Sequence, residues 1–120
     1  MIKGIGMDMT EISRVEQACR KEHFLHRIFT AEEITRYEQF PARLAGNFAV
    51  KEAVAKMFGT GFRTFGPGDV EVLRDETGKP YVVLHGPAKE LQEKLGIVSI
   101  FVTITNENDF ACAVAVGEGE

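Results

Sequence analysis

The segment from Pro41 to Gly61 constrains the fold most strongly, because it predicts one long helix in the middle of the chain. Pro41 suits the first turn of a helix, where the missing N–H removes no hydrogen bond. Gly59 suits the position just past a helix end. Between them, apolar residues recur at helical spacing; these are Leu44, Phe48, Val54, Met57 and Phe58. The segment therefore predicts an amphipathic helix followed by a glycine-rich turn.

Strand-like segments lie on both sides of this helix. Residues 2–10 are apolar and punctuated by glycine, which indicates a strand ahead of the helices. After a turn at 66–68, strand-like patterns recur at 69–74, 80–85, 98–105 and 110–116, with a short helix predicted at 87–95. One strand, several helices and a strand-rich second half with antiparallel pairs together predict an α+β fold.

Two further helix starts are marked by capping-box patterns. Ser13-Arg-Val-Glu16 predicts a helix over about 13–22, and Thr30-Ala-Glu-Glu33 predicts a short helix to about Tyr37. A chain of 120 residues has the size of one domain, so we expect a single domain over residues 1–120. The last four residues, 117–120, are expected to fray as a tail.

Composition excludes several classes of function. No apolar run approaches the length of a membrane span, and the N-terminus lacks the pattern of a signal peptide. We therefore expect a cytoplasmic protein without a membrane partner. The net charge of −4 argues against general nucleic-acid binding. Cys19 and Cys112 have no metal-ligand spacing and are expected to be free, buried thiols.

The charge is unevenly distributed along the chain. Residues 1–63 carry 10 Lys and Arg against 8 Asp and Glu, whereas residues 64–120 carry 4 against 10. The first predicted helix and the residues after it hold several bases, namely Arg14, Arg20, Lys21 and Arg27. These bases suit either a docking face for an acidic partner or a solvated helix face, because acidic residues are interleaved with them. Charge alone favours the solvated face.

Glu52 and Lys56 are four residues apart and therefore lie on one face of the long helix. A carboxylate that can hold a hard cation thus lies beside an ammonium that can hold a phosphate. Asp8, near the end of the first strand, is the natural second carboxylate. Mg²⁺ usually keeps one or two carboxylates together with waters and phosphate oxygens. A simpler interpretation makes Glu52 a surface partner of Lys56 and Asp8 a turn residue, and the pattern alone leaves both open.

Six motifs occur in order over almost the whole chain. They are Gly4-Ile-Gly-Met-Asp8, Glu11-Ile-Ser-Arg14, Arg27-Ile-Phe-Thr30, Phe48-Ala-Val-Lys-Glu52-Ala with Lys56, Gly59-Thr-Gly61, and Gly78-Lys-Pro80. In this combination the chain resembles the holo-[acyl-carrier-protein] synthases, the small bacterial branch of the 4′-phosphopantetheinyl transferases. The resemblance implies the transferase fold of that family. It also implies an enzyme that moves the phosphopantetheine arm of coenzyme A to a serine of acyl carrier protein, releases adenosine 3′,5′-bisphosphate and serves fatty acid biosynthesis.

The resemblance also implies a catalytic set and an assembly. Asp8 and Glu52 would be the Mg²⁺ ligands, and Lys56 would contact the pyrophosphate. The proton acceptor for the serine stays open between Glu52, Asp8 and a metal-bound water. Members of the family are typically homotrimers with active sites between subunits.

Further residues would bind the two substrates if the resemblance holds. Coenzyme A would pack near the turn after the long helix, with a later hairpin on its nucleotide side; the residues are Gly59, Thr60, Gly61 and Pro80. The acidic carrier protein would meet the basic helix, through Arg14, Lys21 and Arg27.

Two positions depart from the family pattern. The residue before Phe48 is usually arginine, and here it is Asn47. A phosphate or carrier contact is therefore missing or is supplied by Arg43, four residues earlier on the same helical face. Relatives often carry Ser-His where this chain has Thr105-Asn106, which excludes a histidine base at that place. Asn47 also leaves an alternative function open, a non-catalytic module that binds the carrier protein or coenzyme A.

Overall fold

The computed structural model describes residues 1–120 and contains five strands and five helices. In chain order they are β1 (Ile2–Glu11), α1 (Ile12–Cys19), α2 (Glu22–Ile28), α3 (Ala31–Tyr37), α4 (Pro41–Phe58), β2 (Val70–Arg74), β3 (Pro80–Leu84), α5 (Gly86–Lys94), β4 (Ile97–Glu107) and β5 (Phe110–Gly119). A short 3₁₀ turn, Pro67–Asp69, precedes β2. The expected α+β class is confirmed.

The strands form two antiparallel sheets. In the three-stranded sheet β5 lies between β1 and β4, while β2 and β3 form a separate hairpin. Along β5 every second residue faces the protein interior, and three of these are buried alanines, Ala111, Ala113 and Ala115. Their small side chains leave room for α4 to lie across this face of the sheet.

The long helix α4 is buried on nearly all sides. Twelve of its 18 residues are buried, because the three-stranded sheet covers one side while α1, α3 and β2 cover others. The expectation of an amphipathic helix is therefore wrong, since a helix enclosed by neighbours has no broad polar face. Its predicted ends are confirmed: Pro41 is the first helical residue, and Gly59 follows the helix in the left-handed region with φ 82°.

Two glycines allow β1 to lie directly against α4. A Cβ at Gly4 would overlap the carbonyl oxygen of Met57, and a Cβ at Gly6 would overlap that of Ala53. Both glycines belong to the face of β1 that points toward the helix. The backbones of strand and helix therefore touch where side chains would normally hold them apart.

Only one of the two predicted capping boxes is present. At Thr30 the hydroxyl accepts from the Glu33 amide at 3.2 Å, and the Glu33 carboxylate accepts from the Thr30 amide at 3.0 Å. The capping box at Ser13 is wrong, because α1 begins at Ile12 directly after β1. The amide of Ile12 instead donates to the carbonyl of Asp109 at 2.8 Å, so a neighbouring turn satisfies one of the free N–H groups at the start of the helix.

The last hairpin is longer than expected. β4 and β5 meet in a tight turn at Asn108 and Asp109, where Asn108 has φ 51°. The expectation of a frayed tail over 117–120 is wrong, because Gly117 pairs with Gly4 on one side and Ile100 on the other. As the middle strand, β5 has hydrogen-bonding neighbours on both edges up to its end, and only Glu120 lies outside it.

The structure also bears on the two cysteines and on membrane-spanning helices. Cys19 and Cys112 are free thiols, as expected, but they are half-buried rather than buried. Burial raises the pKa of the Cys19 thiol to about 11, so this thiol is unreactive as a nucleophile at neutral pH. None of the helices combines the length and the apolar character needed to cross a membrane.

Gly6→Ala tests the close approach of strand and helix. The new methyl group would meet the Ala53 carbonyl, so β1 has to move away from α4, and we expect a loss of about 3 kcal/mol in the free energy of unfolding. Urea denaturation measures the loss. Gly66→Ala is the matched control, because a Cβ there meets nothing within 4 Å. Equal stability of the two variants would contradict the packing described for β1.

Candidate active site

The register of β1 on α4 brings Asp8 to the middle of the helix. Gly4, Gly6 and Asp8 are alternate residues on the face of β1 toward α4, and the glycines lie against Met57 and Ala53 in turn. Each two-residue step along β1 thus runs back by about one helical turn. A further step places Asp8 beside the helical turn that contains Glu52, where the side chain of Lys56 reaches it from the next turn.

Lys56 is bound to the strand in the present structure. Its ammonium donates to the Asp8 carboxylate at 3.1 Å and to the carbonyl of Met7 at 3.1 Å. The expected simple alternative, a surface ion pair between Glu52 and Lys56, is wrong, because the ion pair of Lys56 is with Asp8. The Lys56 side chain is 55% exposed, so it can turn from Asp8 toward a ligand in the cleft.

Glu52 shares an electrostatic environment with Asp8. Burial raises the pKa of the half-buried Glu52 carboxyl above its usual range, and the negative charge of Asp8 raises it further, while Lys56 acts in the opposite direction. Like charges shift each other only at short range. The structure therefore brings together Asp8, Glu52 and Lys56, the three residues that the sequence singled out as a set.

The two carboxylates suit one hard cation. The fold holds no group of three or more His, Cys, Asp and Glu side chains that would enclose a metal ion. Asp8 and Glu52 therefore offer an open pair of oxygen ligands beside a cleft. This donor set fits Mg²⁺, which keeps several waters and takes further oxygens from a substrate. His26 and His85 are engaged elsewhere, with Glu22 and Glu71.

The carboxylate pair opens into a cleft with apolar walls. One cavity of about 370 Å³ contains Asp8 and Glu52, and a second of about 400 Å³ shares Glu52 with it. Phe24 and Phe48 line both cavities and lie with ring centroids 6.4 Å apart. We call this continuous space the carboxylate cleft. The sequence analysis missed these two aromatic walls, although Phe48 precedes Glu52 by one helical turn and was assigned to the core.

The basic residues singled out as a docking face lie around the cleft. Arg14 lines the cavity that contains both carboxylates, and Arg27 lines its neighbour. Lys21 lies with Arg14 along an adjoining groove of about 280 Å³. All three side chains are exposed. Positive charge thus borders the opening at whose floor the carboxylates lie.

The glycine-rich turn adjoins the same end of the helix as Lys56. Gly59 and Gly61 both have positive φ, 82° and 64°, and the hydroxyl of Thr60 donates to the carbonyl of Gly61 at 2.9 Å. Pro80 and Arg43 are not brought to the carboxylates within one copy of the chain. Pro80 begins β3, and Arg43 stacks over Phe40 at the other end of α4.

Asn47, which departs from the motif pattern described above, belongs to a buried polar network. Its side chain is fully buried; the amide donates to the Glu33 carboxylate and to the carbonyl of Val72, and its oxygen accepts from Arg74 at 2.9 Å. The guanidinium of Arg74 also stacks over Tyr37 at 5.1 Å. Burial lowers the pKa of Arg74, and the charge of Arg43 contributes to this lowering. Arg74, which the sequence analysis missed, therefore brings a second guanidinium close to Arg43.

Comparisons with known proteins point to one family. A family model described as the 4′-phosphopantetheinyl transferase superfamily matches residues 4–115. A holo-[acyl-carrier-protein] synthase of Lachnoclostridium phytofermentans is 49% identical over 118 residues, which is 98% of this chain and 97% of the relative. One of Alkaliphilus oremlandii is 44% identical, with 97% of this chain and 98% of the relative covered.

Solved structures agree with the sequence comparisons. The holo-[acyl-carrier-protein] synthase of Neisseria meningitidis superposes with a TM-score of 0.89 at 31% identity, covering 98% of this chain and 99% of that one. The enzyme of Helicobacter pylori, solved in complex with coenzyme A, gives a TM-score of 0.84 at 30% identity, with coverage of 95% and 99%.

The pKa of Glu52 tests the geometry of the carboxylate pair. Asp8→Asn removes the neighbouring negative charge and is expected to lower the pKa of Glu52, whereas Lys56→Met removes a positive charge and is expected to raise it. A carbon-detected NMR titration of the Glu52 carboxyl measures both shifts. Glu90→Gln, on the exposed face of α5, is the control and should leave the titration unchanged. A Glu52 pKa that responds to neither variant would show that the three groups are not neighbours.

Proposed function

Because the chain belongs to the holo-[acyl-carrier-protein] synthases of the 4′-phosphopantetheinyl transferase superfamily, we propose a Mg²⁺-dependent transfer reaction. The 4′-phosphopantetheine arm of coenzyme A moves to a serine of an apo-acyl carrier protein, and adenosine 3′,5′-bisphosphate leaves. The observation that carries this proposal is the convergence of Asp8 and Glu52 in one cleft, with Lys56 bonded to Asp8 beside them. Such an enzyme would serve fatty acid biosynthesis in the cytoplasm.

Asp8 and Glu52 would hold the Mg²⁺ ion. When bound, the ion neutralises pyrophosphate charge and stabilises the charge that develops on the leaving bisphosphate. Burial raises the pKa of Glu52, and the nearby negative charge of Asp8 raises it further. A bound cation would offset the repulsion between the two carboxylates, which supports their assignment as ligands.

Lys56 and the turn that follows would bind the pyrophosphate. The half-exposed ammonium can exchange its bond with Asp8 for one with a phosphate oxygen. The backbone at Gly59, Thr60 and Gly61 lies just beyond it and can pack against coenzyme A.

Arg43 and Pro80 remain proposed contacts for the nucleotide part of coenzyme A. The neighbouring guanidinium of Arg74 adds positive charge to Arg43, and neither arginine forms a salt bridge with a carboxylate in this chain. A phosphate group could therefore approach both side chains without displacing an acidic partner.

Two carboxylates in the cleft, Glu52 and Asp8, can accept the proton of the carrier serine. Burial and the charge of Asp8 raise the pKa of Glu52, which favours this carboxylate as a proton acceptor, and Asp8 lies beside it. A metal-bound water stays the third alternative. Much of the rate enhancement would come from positioning, because the carrier serine has to approach the pyrophosphate in line.

The basic rim suits an acidic carrier protein. Arg14 and Arg27 are exposed and line the cleft, and the exposed Lys21 lies along the adjoining groove. A carrier protein docked on them would deliver its serine directly over Asp8 and Glu52. Complementary charge of this kind increases the association rate and fixes the orientation of the partner.

The outer face of the three-stranded sheet supports a homotrimer. Four large apolar side chains on this face, Ile5, Met7, Met9 and Phe101, are more than half exposed. A contiguous apolar patch on a soluble protein commonly marks an interaction surface. Met9 also lines the cavity that contains Asp8 and Glu52, so a neighbouring copy on this face would border the carboxylate cleft and complete a site between subunits.

The alternative function, a module that binds without transferring the arm, rests on Asn47 in place of an arginine. Asn47 is a buried link between Glu33 and Arg74, and the similarity of the chain to holo-[acyl-carrier-protein] synthases supports an enzyme. Asp8 and Glu52 are both present in the cleft, with Lys56 bonded to Asp8. We therefore propose catalysis and not binding alone.

Replacement of either carboxylate should abolish transfer. We expect Asp8→Asn and Glu52→Gln to lower turnover by at least about 100-fold, because each removes one ligand of the cation that stabilises transition-state charge. The measurement is mass spectrometry of apo-carrier protein incubated with coenzyme A and Mg²⁺, where each transfer adds one phosphopantetheine arm. A chelator should abolish the gain in mass.

Glu90→Gln is the control for these variants and should keep full turnover, because Glu90 is an exposed residue of α5. Near-normal activity of either carboxylate variant would contradict the ligand assignment. A carrier protein that stays unmodified by the unaltered protein at every Mg²⁺ concentration would contradict the proposed function itself.

Charge reversal on α1 should weaken carrier binding selectively. Arg14→Glu is expected to raise the dissociation constant for the carrier protein roughly tenfold at low salt and less at high salt, because salt screens surface charges. Calorimetry with carrier protein and with coenzyme A separates the two ligands. Lys89→Glu on α5 is the matched control. An equal loss of affinity for carrier protein and for coenzyme A in Arg14→Glu would indicate a damaged fold rather than a docking contact.

A further inference from the structure

Lys51 and Glu33 form a buried ion pair that the proposed reaction does not use. The Lys51 ammonium lies 2.8 Å from the Glu33 carboxylate, and neither side chain is exposed. Lys51 directly precedes Glu52 in α4, so the ion pair lies behind the carboxylate cleft. Two ions removed from water cost several kcal/mol each unless their hydrogen bonds are complete, which makes their other contacts informative.

The remaining donors of Lys51 bind one short backbone segment. The ammonium donates to the carbonyl of Pro67 at 3.0 Å and to that of Val70 at 2.6 Å. Together with the bond to Glu33, these contacts use all three N–H groups of an ammonium. The two carbonyls lie at either end of the 3₁₀ turn that leads into β2. Lys51 therefore fastens this turn to α4.

The fastened segment is a wall of the carboxylate cleft. Phe65, Gly66 and Pro67 line the same cavity as Glu52. Internal bonds between Gly66 and Asp69 shape the turn, but they do not attach it to the helix. Among side chains outside the segment, Lys51 alone donates hydrogen bonds to the backbone of residues 66–70.

Glu33, the other partner of the ion pair, is itself held by several hydrogen bonds. The Glu33 carboxylate accepts from the Thr30 amide at 3.0 Å within the capping box and from the Asn47 amide at 3.1 Å. All of its contacts come from α3 and α4, which pack against each other. Movement of the Lys51 ammonium would break bonds in several elements at once.

We propose that Lys51, held by Glu33, is a positioning residue that keeps the 66–70 wall in place opposite Glu52. The proposal rests on the function given above, because the arm of coenzyme A has to reach Glu52 past this wall. A wall that is already ordered before coenzyme A binds lowers the conformational-entropy cost of binding. Lys51 touches no substrate, so its loss acts on the affinity for coenzyme A and not on the chemical step.

The test uses the double variant Lys51→Met/Glu33→Gln. Lys51→Met alone leaves a buried carboxylate without a counter-charge and endangers folding, whereas glutamine at position 33 removes this charge and keeps one oxygen that can accept from the Thr30 amide. Ile97→Ala is the control, because Ile97 is a buried residue beside Gly117 at the start of β4. It reports the effect of lower stability without loss of the Lys51 bonds.

Two measurements decide the proposal. In the unliganded double variant, amide hydrogen exchange of residues 66–70 is expected to rise at least about tenfold. With saturating carrier protein, the KM for coenzyme A is expected to rise roughly fivefold while kcat stays within about twofold, since only preorganisation is lost. Ile97→Ala should change neither the exchange of this segment nor KM.

Unchanged exchange at 66–70 would overturn the proposal, and so would an equal rise of KM in Ile97→Ala. A fall of kcat without a change of KM would also overturn it, because it would assign Lys51 to the chemistry. Absence of turnover in the unaltered protein would overturn the proposed function instead, and the exchange measurement would still decide whether Lys51 holds the wall.

Discussion

The contact between β1 and α4 is the constraint on which the rest of the structure depends. Gly4 and Gly6 have no side chains, so the strand rests on the helix backbone at Met57 and Ala53. The next residue on that face is Asp8, and the register carries it to the helical turn of Glu52, within reach of the Lys56 ammonium. The carboxylate pair is therefore a consequence of close packing. A bulkier β1 would move Asp8 away from the helix and separate the carboxylates.

The other side of α4 is held by a different kind of interaction. There Asn47 and Lys51 replace apolar packing with a buried polar network to Glu33, Arg74 and the backbone around β2. Such a network costs desolvation energy and is retained where it determines one geometry rather than several. It fixes the turn that borders the cleft, so α4 carries Glu52 between a packed strand on one side and a tethered turn on the other.

Local signals in the sequence predicted much of this fold. Thr30 and Glu33 mark a helix start through contacts within four residues, and Pro41 and Gly59 mark the ends of α4 through their own backbone preferences. Expectations failed where distant residues intervened. Ser13 has a capping pattern, yet the Asp109 carbonyl satisfies the start of α1. Gly117 and its neighbours look like a flexible tail, yet β1 and β4 pair with them.

The sequence by itself determined the α+β class and the bounds of α4 and singled out Asp8, Glu52 and Lys56 as candidate site residues, because these depend on residue type, spacing and motif order. Only the tertiary structure decided which of them meet. It joined Lys56 to Asp8 rather than to Glu52, buried Asn47 against Arg74, and placed Phe24 and Phe48 on the walls of the cleft. The physical reason is that these contacts join residues up to 48 positions apart, and their geometry follows from the packing of the whole chain around α4.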